Sequence, residues 1–231
     1  MKKGRFIVFE GADGSGTTTQ SKLLAEELGK RFGPDNVIWT CEPSTGPIGA
    51  FIRTILHGEV DRIPGNESMK LLFTTDRLDH IETEIGPALD AGKWVVCDRF
   101  YLSTLVYQGA IDIFTKKNEL LSIDAHLLRL THLRIMRAEM ENRMKLKIPF
   151  PFPDVTLILD VNPDEIARRR ERRGEKAEIF ESCRMQSEVC LLYSEWGKRN
   201  PYPENCVMVD GCMSISSVKT RCLEIIEETF K

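Results

Sequence analysis

Gly11-Ala12-Asp13-Gly14-Ser15-Gly16-Thr17-Thr18-Thr19 is the stretch on which the fold turns. It follows directly on the short apolar run Arg5-Phe6-Ile7-Val8-Phe9-Glu10, and a helical pattern continues from about Thr17 to Lys30. Strand, glycine loop and helix form one unit. Small residues let successive backbone N–H groups curl around an anion, and the helix points its positive end at it. Gly11-x4-Gly16 followed by Thr18 has the spacing of the G-x-x-x-x-G-K-[ST] phosphate loop, in which the final hydroxyl ligates Mg²⁺. The lysine position holds Thr17, a hydroxyl without charge. Lysine there normally reaches the β and γ phosphates. A glycine turn without a ligand is the plain alternative; the strand–loop–helix context favours phosphate binding.

Four more candidate strands lie downstream: Val37–Cys41, Trp94–Cys97, Val155–Asp160 and Cys206–Val209. Helical patterns separate them, at about 47–57, 66–91, 119–142, 163–173, 177–198 and 214–229. Apolar strands with almost no alternation, separated by helices, predict an α/β fold with a five-stranded parallel sheet covered on both faces. Right-handed crossovers leave few topologies, but chain order does not fix strand order. Ile148-Pro149-Phe150-Pro151-Phe152-Pro153 forbids helix and delivers the chain stiffly into the fourth strand. The segment 110–147 before it is long and mostly helical, so 110–153 reads as an enlarged helical connection within a single domain spanning 1–231.

Composition excludes several classes. The chain has 231 residues, 42% apolar and 29% charged, with a net charge of -3. This is an ordinary globular mixture, not a disordered chain or a polyanion-binding body. No apolar run reaches the ~20 residues that span a bilayer. The N-terminus begins like a secretory signal but meets Glu10 early and has no cleavage site. Cysteines at 41, 97, 183, 190, 206, 212 and 222 are odd in number and never spaced C-x-x-C, which argues against a zinc ribbon or disulfide framework. Reduced thiols and a cytoplasmic setting are expected.

Four further segments join the glycine loop: Glu42-Pro43; Leu72-Phe73-Thr74-Thr75-Asp76-Arg77; the run Asp98-Arg99-Phe100-Tyr101-Leu102-Ser103-Thr104-Leu105-Val106-Tyr107-Gln108-Gly109; and Leu159-Asp160-Val161-x-Pro163. Together they resemble the thymidylate kinase family, over nearly the whole chain. The resemblance implies a P-loop NTPase fold, ATP as phosphoryl donor, Mg²⁺, dTMP as acceptor, dTDP and ADP as products, and a homodimer. It implies small-molecule nucleotides as partners, and neither nucleic acid nor membrane. Gly11, Ala12, Asp13, Gly14, Ser15, Gly16, Thr17, Thr18 and Thr19 would then cradle ATP, with Thr18 and Asp98 toward the metal. Asp13 would lie close to the acceptor phosphate and the metal. On the acceptor side it implies Glu42, Phe73 stacked on the base, Arg77, Arg99 gripping the phosphate, Ser103 and Gln108 at the base edge, and Tyr107 beneath the deoxyribose.

Arg168-Arg169-Arg170-Glu171-Arg172-Arg173 is a strong cationic patch in a slightly acidic chain. One account is a solvated helix face with Glu–Arg pairs. The resemblance implies a lid over 165–180 whose arginine neutralises transferring charge, with Arg169 or Arg173 favoured as catalytic and Arg168 close behind. Such a guanidinium would take the role that Thr17 leaves open. Two other features depart from the family. Cys41 stands where its arginine meets the acceptor phosphate, with Arg53 as a substitute from the following helix, and 110–153 is longer than the family's connection. A kinase for another deoxynucleoside monophosphate, and a nucleotide-binding paralogue with weak or no transfer, remain open beside dTMP phosphorylation.

Overall fold

A computed structural model describes residues 4–119, 151–173, 183–199 and 205–231. The described elements run β1 (Arg5–Gly11), α1 (Thr17–Phe32), β2 (Val37–Cys41), α2 (Pro47–Leu56), α3 (Asn66–His80), α4 (Gly86–Asp90), β3 (Trp94–Asp98), α5 (Tyr101–Glu119), β4 (Val155–Asp160), α6 (Pro163–Arg173), α7 (Cys183–Arg199), β5 (Asn205–Asp210) and α8 (Ile215–Thr229). The expected helix 119–142 lies outside the described residues beyond Glu119.

The five strands form one parallel sheet in the order β2-β3-β1-β4-β5. Residue parity on β1 divides the core. Phe6 and Val8 face one side, where they meet Ile81, Ile85, Phe100, Leu102, Val106, Val189, Leu192 and Trp196. Ile7 and Phe9 face the other, where they meet Leu24 and Leu28 of α1 and Val218, Cys222, Ile225 and Ile226 of α8. Both faces are covered, which is why the strands read as continuous apolar runs. Each large side chain fully buried here contributes roughly 1.5–3 kcal/mol of transfer free energy.

The sequence pattern reads 66–91 as one helix, and the structure interrupts it. Ile81–Ile85 forms a π turn between α3 and α4. Pro87 has no N–H to continue the α-helical ladder, and a π bulge absorbs the break. Gly86 permits the close turn, since a Cβ there would stand 2.8 Å from the Ile81 carbonyl oxygen. Helix α5 begins at Tyr101, earlier than the helical segment beginning at 110 suggests. Tyr101, Leu102, Leu105, Val106, Tyr107 and Ala110 are all buried, so its first turns show little polar face to mark a helical period.

Register sets the functional edge of the sheet. Phe9 pairs with Asp98, and Asp98 with Cys41, so the carboxyl ends of β1, β2 and β3 stand level. The chain leaves β1 toward β3 and β2 on one side and toward β4 and β5 on the other. A ligand crevice forms at the carboxyl ends beside such a reversal of strand order.

Candidate nucleotide-binding site

The glycine loop occupies that edge. Gly14 and Gly16 have φ of 92° and 100°, left-handed values that a Cβ disfavours. The Ser15 N–H donates to the Ala12 carbonyl at 3.0 Å, closing the loop above the start of α1. From Asp13 to Thr19 the loop walls a cleft of about 1100 Å³, while Gly11 and Ala12 are buried beneath it. Thr17 also lines the cleft, 4% exposed. Thr18 Oγ1 donates to Asp98 Oδ2 at 2.5 Å, and Asp98 Oδ1 is buried without a hydrogen-bond partner among the described residues. A hydroxyl and a carboxylate oxygen, both hard donors facing a phosphate cradle, fit Mg²⁺, which takes one or two carboxylates and completes its shell with phosphates and water. Among the described residues, no group of three His, Cys, Asp or Glu side chains forms an all-protein metal cage.

The opposite wall is built around two arginines. Arg99 has a φ of 69°, rare for a residue with a Cβ, and its N–H is held by the Phe9 carbonyl at 2.8 Å. Its guanidinium donates to the Gly11 carbonyl at 2.7 Å, to Asp13 Oδ1 at 2.7 Å and to Ser103 Oγ at 3.1 Å. It stands 5.4 Å from the centroid of the Tyr107 ring. Burial alone disfavours the cation, but the oxygens of Tyr107, Asp13, Tyr193 and Asp98 more than offset it. Burial also holds the Tyr107 phenol well above its ordinary range.

Arg77, 6% exposed, donates through Nε to Glu42 Oε2 at 2.8 Å and through its terminal nitrogen to Thr104 Oγ1 at 2.8 Å. Glu42 is 3.5 Å from Nδ1 of buried His80, whose other ring nitrogen lies 3.0 Å from Glu84. Burial works against a charged His80, yet the two carboxylates raise its pKa. Arg77 is thus set from behind by Glu42. Phe73, half-buried on α3, faces the cleft and belongs to neither core cluster. Ser103 and Gln108 line the same wall, and Gln108 Oε1 is buried without a partner among the described residues.

Helix α6 supplies the third side. Arg169 donates to Glu165 at 2.8 Å, to the Ser15 carbonyl at 3.2 Å and to the Gly211 carbonyl at 2.8 Å. It staples α6 to the glycine loop and to the turn after β5. Arg172, exposed, also lines the cleft. Arg168 points away, its side chain 62% exposed and paired with Glu165. The Arg173 side chain and residues 174–180 of the expected lid lie outside the described residues.

Arg53 reaches the position that Cys41 leaves without charge. Its guanidinium donates to the Ser44 carbonyl at 2.6 Å and to the Pro43 carbonyl, and lies 3.7 Å from Cys41 Sγ, on the cleft wall. The expected acceptor-side residues and all of the glycine loop except its buried first two residues therefore meet around one cleft.

Sequence reasoning missed Glu10, Gln186, Tyr193 and Arg172. Glu10 is fully buried, and its carboxylate accepts from the N–H groups of Phe100 (2.9 Å) and Ser103 (3.1 Å), Ser103 Oγ (2.6 Å) and the Tyr193 hydroxyl (2.9 Å). Burial raises its pKa to about 7, against the pull of Ser103, Arg99, Phe100 and Tyr193. Its signal was present: Glu10 shares the parity of Phe6 and Val8 on a buried strand.

The sequence model of the thymidylate kinase family matches residues 9–126. The thymidylate kinase of Desulfotalea psychrophila is 33% identical over 230 residues, covering 99% of this chain and 96% of that protein. The chain belongs to the thymidylate kinase family. A second relative, the thymidylate kinase of Afipia carboxidovorans, is 36% identical over 231 residues, covering 97% of this chain and 90% of its own length. The solved thymidylate kinase of Candida albicans superposes with a TM-score of 0.73 at 25% identity, over 98% of this chain and 92% of that one. That of Ehrlichia chaffeensis gives 0.62 at 28%, over 97% and 99%. The scaffold is that of a P-loop nucleoside monophosphate kinase, and the activity class is phosphoryl transfer to a deoxynucleoside monophosphate.

Proposed function

We propose that the chain transfers the γ-phosphoryl group of ATP to dTMP, giving dTDP and ADP. One observation carries the reading: Arg99 spans from the glycine loop to Ser103 within a single cleft whose far wall offers Phe73, Tyr107 and Gln108 to a nucleoside. The loop amides cradle the triphosphate while Arg99 holds the acceptor phosphate in line with it. Phe73 stacks on the base, and Gln108 Oε1, without a partner among the described residues, accepts an N–H from the base edge. The Tyr107 ring packs against the deoxyribose. No general base is required, because the acceptor phosphate is largely ionised near pH 7 (second pKa ~6). Positioning and charge neutralisation then supply most of the rate. Thr18 and Asp98 would hold Mg²⁺, which when bound would supply positive charge beside the triphosphate. Arg172, which lines the cleft, brings the cation that Thr17 lacks. The reading includes a cytoplasmic homodimer.

Cys41 favours a second reading, in which a different deoxynucleoside monophosphate is the acceptor. A panel of dTMP, dUMP, dCMP, dGMP and AMP under saturating Mg-ATP separates the two. The highest kcat/KM is expected for dTMP, and a higher value for any other member overturns that assignment.

A further inference from the structure

Helix α7 enters the site at two points that no step above uses. Gln186 is 2% exposed; its Nε2 donates to Asp13 Oδ2 at 3.1 Å, and its Oε1 accepts the Asp13 N–H at 3.3 Å. Tyr193 is 3% exposed; its hydroxyl donates to Glu10 at 2.9 Å and lies 3.0 Å from Ser103 Oγ. Positions 186 and 193 are about two helical turns apart, so both side chains leave the same face of α7. Their targets are linked through one residue. Asp13 and Ser103 are the side chains that, among the described residues, accept from the Arg99 guanidinium. Glu10 completes the frame by holding Ser103 through both its N–H and its hydroxyl.

We propose that α7 is a strut that sets Arg99 and Ser103 for the acceptor, with Gln186 and Tyr193 as its positioning residues and Glu10 as the junction. The proposal rests on the reading of Arg99 as the acceptor-phosphate residue. Arg99 leaves β3 in a left-handed conformation, so its direction depends on outside anchors. Its two side-chain anchors among the described residues are themselves held by α7, Asp13 by Gln186 and Ser103 by Tyr193 through the Glu10 junction. The apolar residues Val189, Leu192 and Trp196 already dock this helix to the core. The polar pair adds orientation to that docking. Burial keeps the Tyr193 phenol protonated, so it remains a donor to Glu10.

Tyr193→Phe and Gln186→Leu test the strut. Each keeps most of the side-chain volume and removes the polar contact. Each is expected to lower kcat/KM for dTMP about tenfold, the factor that ~1.4 kcal/mol represents. KM for ATP is expected to stay within about twofold. Combined with Arg99→Lys, either variant should lose much less than the sum of the single effects, because coupled residues are not additive. A merely structural role would lower Tm and weaken both substrates alike. The strut is overturned if both variants keep dTMP kcat/KM within about twofold of the parent, or lose ATP and dTMP equally. Calorimetric binding of dTMP, dUMP and dGMP runs in parallel. If the parent prefers dUMP or dGMP, the dTMP assignment falls, and the variants are compared with the preferred nucleotide. A selective loss of its affinity upholds the strut; an unchanged affinity overturns it.

Discussion

Asp98 accepts from Thr18 through one carboxylate oxygen, and among the described residues the other is buried without a partner, where a bound cation or water would complete it. Asp98→Asn keeps the size of the side chain and removes the charge. It should lower kcat by about a hundredfold or more, within the range of a lost electrostatic partner. The Mg²⁺ concentration for half-maximal rate should rise, and Tm should hardly fall. A titration of rate against Mg²⁺ checks both effects. Glu10 makes a separate prediction. Its folded pKa of about 7 lies above the ordinary 4.5, so between those values the folded chain binds the proton that the unfolded chain has lost. This group's contribution to stability therefore falls as pH rises from 4.5 through about 7, then levels off. Glu10→Gln removes that dependence. Whatever the offset between the two proteins, the Tm of the variant relative to the parent should climb from about pH 5 to about pH 8. A constant difference would contradict the shift. The strand parity that places Glu10 in the core is legible in the sequence. The contacts to Tyr193 and Ser103 are not, because they are set by distant chain meeting only in three dimensions.

Helix α6 shows what a residue pattern leaves open at the scale of an element. A run of arginines announces a cation patch, but not which of them turns inward. The structure sets the phase. Arg169 and Arg172, three apart and on one face, reach the cleft, whereas Arg168 pairs with Glu165 in solvent. Arg169 is committed to carbonyl oxygens of the loop and the β5–α8 turn, which makes Arg172, on the cleft wall, the described candidate for the proposed cation. Arg172→Ala should lower kcat at least tenfold, and Arg168→Ala should stay within about twofold. Thr17→Lys in the Arg172→Ala background should recover part of the loss, since either cation serves the same charge. Steady-state rates of the four proteins, parent included, decide this. The break in the helical pattern between Asn66 and Asp90 was legible only in Gly86-Pro87. Its π geometry follows from the missing proline N–H and the bare glycine.

Across the whole molecule, apolar runs and intervening helices were enough to expect a parallel sheet covered on both faces. The order β2-β3-β1-β4-β5 was not readable from chain order, because several right-handed crossovers satisfy the same sequence. Once that order is known, the cleft follows from it, and with it the meeting of the motif residues. Phe51 on α2 and Leu71 on α3 remain 51% and 67% exposed on neighbouring helices. They suit burial against a second copy in the proposed homodimer. Phe51→Lys with Leu71→Lys should shift the sedimentation coefficient from that of a dimer to that of a monomer, while the far-ultraviolet spectrum stays unchanged.

The most direct measurement follows the label from γ-phosphate-labelled ATP incubated with purified protein, Mg²⁺ and dTMP. The label is expected in dTDP, in amounts equal to the ADP formed and absent when dTMP is omitted. Release of labelled inorganic phosphate without dTDP, or no turnover at all, would contradict phosphoryl transfer through this lysine-free cradle.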